Sequence, residues 1–179
     1  MNLKLRKLNA NSQDRAYFEQ INEEAFPIEE KMSFDEIFAF ASDTNTDVLG
    51  IYDDEKPIGF AVILKNNECG YIYYLAIDSN IRSKGYGSAA LRKISEVYRE
   101  IQLILDFEEI DENAKNNAQR IRRKSFYLKN EFHETGNYTM LRGYRFEVVC
   151  NGNELRKAAF KDLLRIIHER RPEFPNMLI

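Results

Sequence analysis

Little in this chain offers redox or metal chemistry: its 179 residues include two cysteines, two histidines and no tryptophan. Cys69 and Cys150 lie far apart, with neither a Cys-x-x-Cys pair nor a histidine beside them, so no disulfide framework and no metal site are expected. His133 and His168 are isolated, the second among Arg165, Glu169 and Arg170, and read as surface residues. No apolar run approaches the roughly twenty residues of a membrane span, and the start of the chain lacks the apolar stretch of a signal peptide. No membrane partner and a cytoplasmic location are therefore expected. A basic excess is missing too: the net charge is −3 and the pI near 5.6, the reverse of a general nucleic-acid binder, so no nucleic-acid partner is expected.

What the chain has instead is a glycine-bearing stretch around which the rest is organised. At 179 residues with 44% hydrophobic, it is long enough for one well-buried core and short for two. Tyr73 to Ile77 form a β-prone run, Asp78 to Asn80 turn the chain, and Arg82-Ser83-Lys84-Gly85-Tyr86-Gly87-Ser88 leads into an amphipathic segment. Two glycines let the backbone approach an anion, N–H groups at a helix start point outward as donors, and Arg82 and Lys84 add positive charge, so a diphosphate fits there. No Gly-Lys-Ser/Thr follows a four-residue gap, which excludes a nucleoside-triphosphatase loop. Gly85, Gly87 and Ala90 tolerate a dinucleotide fingerprint, and Asp106 sits near the spacing of its ribose-binding acid. Such a site, however, wants the loop in the first βα unit, and here apparent strands precede it.

In chain order, Leu3 and Leu5 alternate with Lys4 and Arg6 as a first strand, and Ser12 is the expected cap of a helix carrying Tyr17, Phe18, Ile21 and Ala25. Ser33-x-x-Glu36 is a capping-box pattern opening a second helix. The aromatics Phe26, Phe34, Phe38 and Phe40 either shape a pocket or, as helical stripes more often do, fill the core. Val48–Tyr52, Ile58–Leu64 and Gly70–Ile77 read as an antiparallel meander. A helix with Ala90, Leu91, Ile94, Val97, Tyr98 and Ile101 along its apolar face follows, then Leu103–Glu108 as the parallel strand of a βαβ crossover. Asn113–Asn130 predicts a helix with Ala114, Ala118, Ile121, Ser125 and Leu128 inward and a basic cluster of Arg120, Arg122, Arg123 and Lys124 read mainly as a solvated face. Tyr138–Leu141 and Tyr144–Val149 make a closing hairpin, and Leu155, Ala159, Leu163, Ile166 and Ile167 mark a last helix ending at Arg170-Arg171-Pro172.

The run Leu75-Ala76-Ile77-Asp78-Ser79-Asn80-Ile81-Arg82-Ser83-Lys84-Gly85-Tyr86-Gly87-Ser88-Ala89-Ala90-Leu91 resembles the acyl-CoA signature of the GNAT-type N-acetyltransferases. Arg82, Gly85 and Gly87 satisfy that family's Arg/Gln-x-x-Gly-x-Gly/Ala pattern. The resemblance covers residues 1–150 and implies a mixed α/β (α+β) fold. Its sheet would be mainly antiparallel with a central βαβ crossover and helices on both faces, and residues 151–179 would add a C-terminal helix packed on the same domain. It also implies an N-acetyltransferase that uses acetyl-CoA, without a metal, to acetylate a primary amine of a small molecule or peptide by direct attack.

The same resemblance assigns residues. Arg82, Ser83, Lys84, Gly85, Tyr86, Gly87 and Ser88 would hold the diphosphate of CoA. The backbone of Leu75, Ala76 and Ile77 would hold the pantetheine arm as an added strand and polarise the thioester carbonyl. Asp106 and Glu108, on one strand face by the period-two rule, stand where related enzymes often place a general base, a solvated strand end being the other reading. Ser125 to Phe132 is similar to the second family signature, in which Tyr127 matches the tyrosine that protonates the departing thiolate; a packing tyrosine is the alternative.

Two departures carry expectations of their own. Glu131 stands where the family usually has glycine, which predicts a missing left-handed cap or a costly φ. Arg120 replaces an asparagine that commonly touches the cofactor arm, leaving Asn116 and Asn117, one turn earlier, as substitutes. No residue separates small amines from polyamines, amino acids, antibiotics or protein N-termini as acceptor, although the acidic run from Asp106 to Glu112 favours a cationic one. A non-catalytic acyl-CoA-binding or regulatory module that kept the loop and lost the base is the reading from another class. The last helix is free to pack on the domain, cover the acceptor cleft or mediate a homodimer.

Overall fold

The computed structural model describes residues 1–28, 30–43, 45–172 and 177–179; residues 173–176 of the expected C-terminal segment lie outside them. The chain divides into two units, Met1–Leu64 with Ile72–Val97, and Lys65–Tyr71 with Tyr98–Ile179. Its fold is mixed α/β, with eight strands in the order β1-β2-β3-β4-β5-β7-β6-β8 and five α-helices among the described residues.

In the first unit the alternating Leu3 and Leu5 give β1 (Leu3–Lys7), which pairs antiparallel with β2 (Thr46–Asp53), and β2 pairs antiparallel with β3 (Lys56–Lys65). Asp54, at φ 53°, helps turn the chain between the last two. Next to β3 runs β4 (Cys69–Ile77), whose first three residues belong to the second unit. Gly59 permits a close approach there: a Cβ on it would stand 2.3 Å from the Ala76 carbonyl oxygen, so any side chain would displace the end of β4.

The helices of this unit form for recognisable local reasons. In α1 (Arg15–Ala25), Phe18, Ile21 and Asn22 are buried, and the helix stops where Phe26 turns extended before Pro27. Its N-cap is Asp14 rather than the expected Ser12, whose hydroxyl instead accepts the Asn9 N–H in a preceding turn. In α2 (Phe34–Phe40) the Ser33–Glu36 capping box is present in both directions, a device that stabilises a helix start by about 1 kcal/mol. Phe34 and Phe40 are core residues, the Phe34 ring 5.1 Å from that of Phe60. In α3 (Tyr86–Val97), Ala90, Leu91 and Ile94 are buried as expected, but Val97 is exposed because the helix ends there and the stripe has no further turn to occupy.

In the second unit the start of β4 pairs in parallel with β5 (Gln102–Glu108) through Cys69–Gln102, Gly70–Leu103 and Tyr71–Ile104. Chain connectivity through α3 makes this the expected βαβ crossover. On its other side β5 pairs antiparallel with β7 (Tyr144–Asn151), and β7 with β6 (Phe132–Leu141). An unexpected two-residue strand, β8 (Met177–Leu178), pairs with Met140 and Thr139 of β6. In α5 (Lys157–Arg170) the buried stripe is Ala159, Phe160, Leu163, Leu164 and Ile167. Leu155, before its first turn, and Ile166 are half-buried, correcting the expected stripe.

The largest correction concerns α4 (Asn117–Lys129). Ala118, Ile121 and Leu128, expected inward, are exposed, and Arg120, Arg123, Lys124 and Tyr127 occupy the more covered face. Acidic partners from other elements explain the reversal. Lys124 donates to Glu147 at 2.9 Å and also pairs with Glu134, while Arg120 reaches Glu108 at 2.9 Å. Periodicity sees only hydrophobicity, so cations neutralised by long-range partners masquerade as a solvent face. Burial pushes the Glu147 carboxyl upward, whereas the hydrogen bond from Lys124 holds Glu134 down.

At the end of this helix Glu131 has φ 68°, the left-handed conformation foreseen from its replacing glycine. Glu131→Gly should therefore raise stability by about 0.5–1 kcal/mol, seen as a higher urea midpoint with unchanged slope. A lowered midpoint would mean that the side chain makes interactions outweighing the backbone strain. No described helix is long and apolar enough to cross a membrane.

Candidate active site

In the first unit, β4 delivers the chain into a 3-10 turn, Ser79–Ile81, and then the glycine loop. Two side chains of α1 clamp that turn. The Tyr17 hydroxyl donates to Asp78, and the Ser79 hydroxyl donates to Glu24 at 2.8 Å. Asp78 in turn accepts the Asn80 N–H at 2.8 Å. Its carboxyl is held below the usual range chiefly by the Tyr17 hydroxyl, while burial first, and then Asp78, push the Tyr17 phenol up to about 12.

The loop beyond is open and positively charged. Ser83 and Gly85 have φ of 63° and 82°, and the carbonyl of Gly85 accepts the first helical N–H, that of Ala89, at 3.0 Å. Among the described residues the backbone N–H groups of Ser83, Lys84, Gly85, Tyr86, Gly87 and Ser88 have no acceptor. Arg82 and Lys84 are exposed, and neither forms an ion pair among the described residues. Successive free donors, two cations and a helix start make an anion cradle. Tyr86 has a different task for its side chain: its hydroxyl donates to Asp53 at 2.8 Å and its ring packs against the cluster of Ile51, Ile58 and Ala90, anchoring the start of α3. Leu75 and Ile77 pack against the same cluster, leaving their backbone as the candidate cofactor-facing group.

The second unit holds both Asp106 and Tyr127. One oxygen of Asp106 accepts the Tyr71 hydroxyl at 2.8 Å and the other accepts the Thr139 hydroxyl. Tyr127 is half-buried, stacked on Phe107 with centroids 5.4 Å apart and edge-on to Phe126 and Phe132. Among the described residues its hydroxyl has no hydrogen-bond partner. Burial pushes the Tyr127 phenol up; the positive charge of Arg123 opposes this and the negative charge of Asp106 adds to it. A protonated phenol can donate to a leaving group.

Glu108 lies in a denser set of contacts. It accepts from Asn116 at 3.1 Å and from Arg120 at 2.9 Å, with Arg123 at 3.6 Å. Asn116 also accepts from Arg120 at 2.9 Å, and the Asn117 side chain accepts the Asp111 N–H at 3.2 Å. Asn116, Asn117 and Arg120 thus order the turn into α4. Tyr71 and Thr139 were not singled out by sequence reasoning: Tyr71 read only as a strand residue, and nothing local marks Thr139. Among the described residues no group of three or more His, Cys, Asp or Glu side chains is placed to hold a metal ion.

The acetyltransferase (GNAT) family profile matches residues 13–122, and the chain belongs to that family. Its fold is shared with solved structures of low identity. One, described as a GNAT-family acetyltransferase from Bacteroides thetaiotaomicron, is 21% identical with a TM-score of 0.73, covering 92% of this chain and 96% of that one. The ribosomal-protein-S18-alanine N-acetyltransferase of Escherichia coli is 18% identical, TM-score 0.58, over 86% and 95% of the two chains. An aminoglycoside 6'-N-acetyltransferase complexed with coenzyme A is 12% identical, TM-score 0.62, over 83% and 96%. A search of curated proteins finds no match.

Proposed function

We propose that the protein transfers the acetyl group of acetyl-CoA to a primary amine of a small molecule or peptide. The observation that carries this reading is the run of N–H groups from Ser83 to Ser88, without acceptors among the described residues and flanked by Arg82 and Lys84, at the start of α3. That run suits the diphosphate of CoA, and the CoA complex of the aminoglycoside enzyme, which shares the fold, supports the choice of ligand. We take residues 1–150 as the acetyltransferase domain and 151–179 as its extension. The backbone of Leu75, Ala76 and Ile77 is assigned to the pantetheine arm, and no metal is invoked.

In the reaction, Asp106 accepts a proton from the acceptor's ammonium group, and the neutral nitrogen adds to the thioester carbonyl carbon. The C–S bond then breaks, the sulfur takes a proton with Tyr127 as donor, and the surplus proton on the new amide nitrogen restores the phenol. Asp106 is preferred to Glu108 because Glu108 is engaged by guanidinium groups and an amide, whereas Tyr71 and Thr139 approach Asp106 as neutral hydroxyls. Asn116 and Asn117 are left with the structural role of ordering the turn.

The test is in two stages. CoA should raise the melting temperature, because a ligand that binds only the native state stabilises it by mass action. A panel of small amines, polyamines, amino acids and peptides should then reveal one that releases free thiol from acetyl-CoA. No stabilisation by CoA would sink the cofactor assignment, and tight CoA binding without thiol release for any amine would favour the binding-module reading.

A further inference from the structure

We propose that Tyr71 and Thr139 are positioning residues that fix the Asp106 carboxylate, and that helix α5 holds Tyr71 in place through Phe160, so that the C-terminal helix serves the site as well as the fold. The inference rests on the reading of Asp106 as general base. All four residues belong to the second unit.

Both oxygens of Asp106 accept hydroxyl groups that are themselves immobile. Tyr71 is 2% exposed and pairs with Ile104 in the parallel ladder. Thr139 is fully buried in β6, a strand held by β7 on one side and by β8 on the other. Two donors from different strands, one on each oxygen, specify the carboxylate's rotation as well as its place. The carboxylate shares its strand with Glu108, and its negative charge acts on the Tyr127 phenol of α4, so its orientation bears on the group assigned as proton donor.

The Tyr71 ring lies 5.2 Å from that of Phe160, tilted by 60°. Phe160 is fully buried, and its turn of α5 is pinned beside it: the Ala159 carbonyl accepts from Asn66 at 2.9 Å. The start of α5 is tied down as well, because Arg156 donates to the Glu68 carbonyl at 2.8 Å. A chain of rigid contacts therefore runs from α5 through Phe160 and Tyr71 to Asp106. A buried tyrosine that only needed an acceptor would be satisfied by any carbonyl; here the acceptor is the candidate base.

The experiment compares Tyr71→Phe, Thr139→Val, Thr139→Ser, Phe160→Leu and Asp106→Asn in the full chain, with an amine that gives thiol release. Tyr71→Phe and Thr139→Val should each lower kcat about tenfold with CoA affinity within about twofold, as expected when orientation at the reacting centre is lost without loss of binding. Thr139→Ser keeps the hydroxyl and should stay within about twofold of the parent. Phe160→Leu should lower kcat severalfold alone but add nothing in the Tyr71→Phe background, since residues acting in series are not additive. In protein labelled with 13C at aspartate, the Asp106 carboxyl resonance should move in Tyr71→Phe and in Phe160→Leu, a readout independent of turnover. Unchanged kcat in Tyr71→Phe and Thr139→Val, with Asp106→Asn inactive, overturns the positioning role and leaves the base standing. An unmoved resonance in Phe160→Leu overturns the part assigned to α5. Full activity in Asp106→Asn sinks the general-base reading itself, and this inference with it.

Discussion

Tyr127→Phe should lower kcat by roughly ten- to a hundredfold while CoA affinity changes little, as expected when a general acid is removed without disturbing binding. The ring should stay where it is, because its place is set by stacking on Phe107 and edge contacts with Phe126 and Phe132. The lost hydroxyl has no partner among the described residues, so no buried group is orphaned and stability should move by less than about 0.5 kcal/mol. A phenol ordinarily ionises near pH ~10 and burial pushes that of Tyr127 higher, so it is protonated at neutral pH. A thiol ordinarily ionises near pH ~8.5, below such a phenol, so proton transfer from Tyr127 to the sulfur is uphill by itself and is completed as the new amide nitrogen returns a proton to the phenol. That places the effect below the largest general-acid losses.

Asp106→Asn should lose more, about a hundredfold at neutral pH, and recover as rising pH deprotonates the amine in solution. Glu108→Gln should behave differently: Arg120 and Arg123 lose an anionic partner, which costs about 1–3 kcal/mol of stability, while kcat survives. Steady-state thiol release and urea denaturation of the three variants decide the matter. Full rates in both Tyr127→Phe and Asp106→Asn would remove these residues from the chemistry.

The glycine loop was legible because everything it needs is consecutive: a β-prone run, a turn, two cations, two glycines and a helix, with the backbone itself as the proposed binding group. The capping box at Ser33 and the left-handed Glu131 were legible for the same reason, since each depends on neighbours within a few residues. Residues whose meaning comes from distant partners were not. The cations of α4 pass for a solvent face until Glu108, Glu134 and Glu147 are brought to them from three strands. Thr139 carries no mark of its own, and its contact with Asp106 arises only once β5, β6 and β7 are assembled. β8 is invisible for a related reason, since two residues have no periodicity and gain their hydrogen bonds from the waiting edge of β6. Asp106 and Glu108 were equal on a strand pattern; they differ in the company that tertiary structure gives them.

Gly85→Val should abolish stabilisation by CoA, and a matched substitution elsewhere shows why the effect belongs to the loop. Gly85 has φ +82°, and a Cβ placed on it meets only the methyl of Met1, at 3.6 Å. The protein therefore has room for the side chain, and the variant's own penalty is backbone strain of at least about 1–2 kcal/mol. Gly143, between β6 and β7, also has φ +82°, and a Cβ there would have nothing within 4 Å, so Gly143→Val should carry a similar strain. Only at Gly85 would the branched side chain stand over the N–H groups assigned to the diphosphate. Each lost hydrogen bond to a charged group is worth about 1.5–3 kcal/mol, so CoA affinity should fall by roughly ten- to a hundredfold per contact in Gly85→Val and stay unchanged in Gly143→Val. Calorimetric titration of CoA into both folded variants reads the difference directly. Equal affinity in Gly85→Val and the parent would remove the diphosphate from this loop, and equal loss in both variants would trace the effect to strain rather than to the ligand's approach.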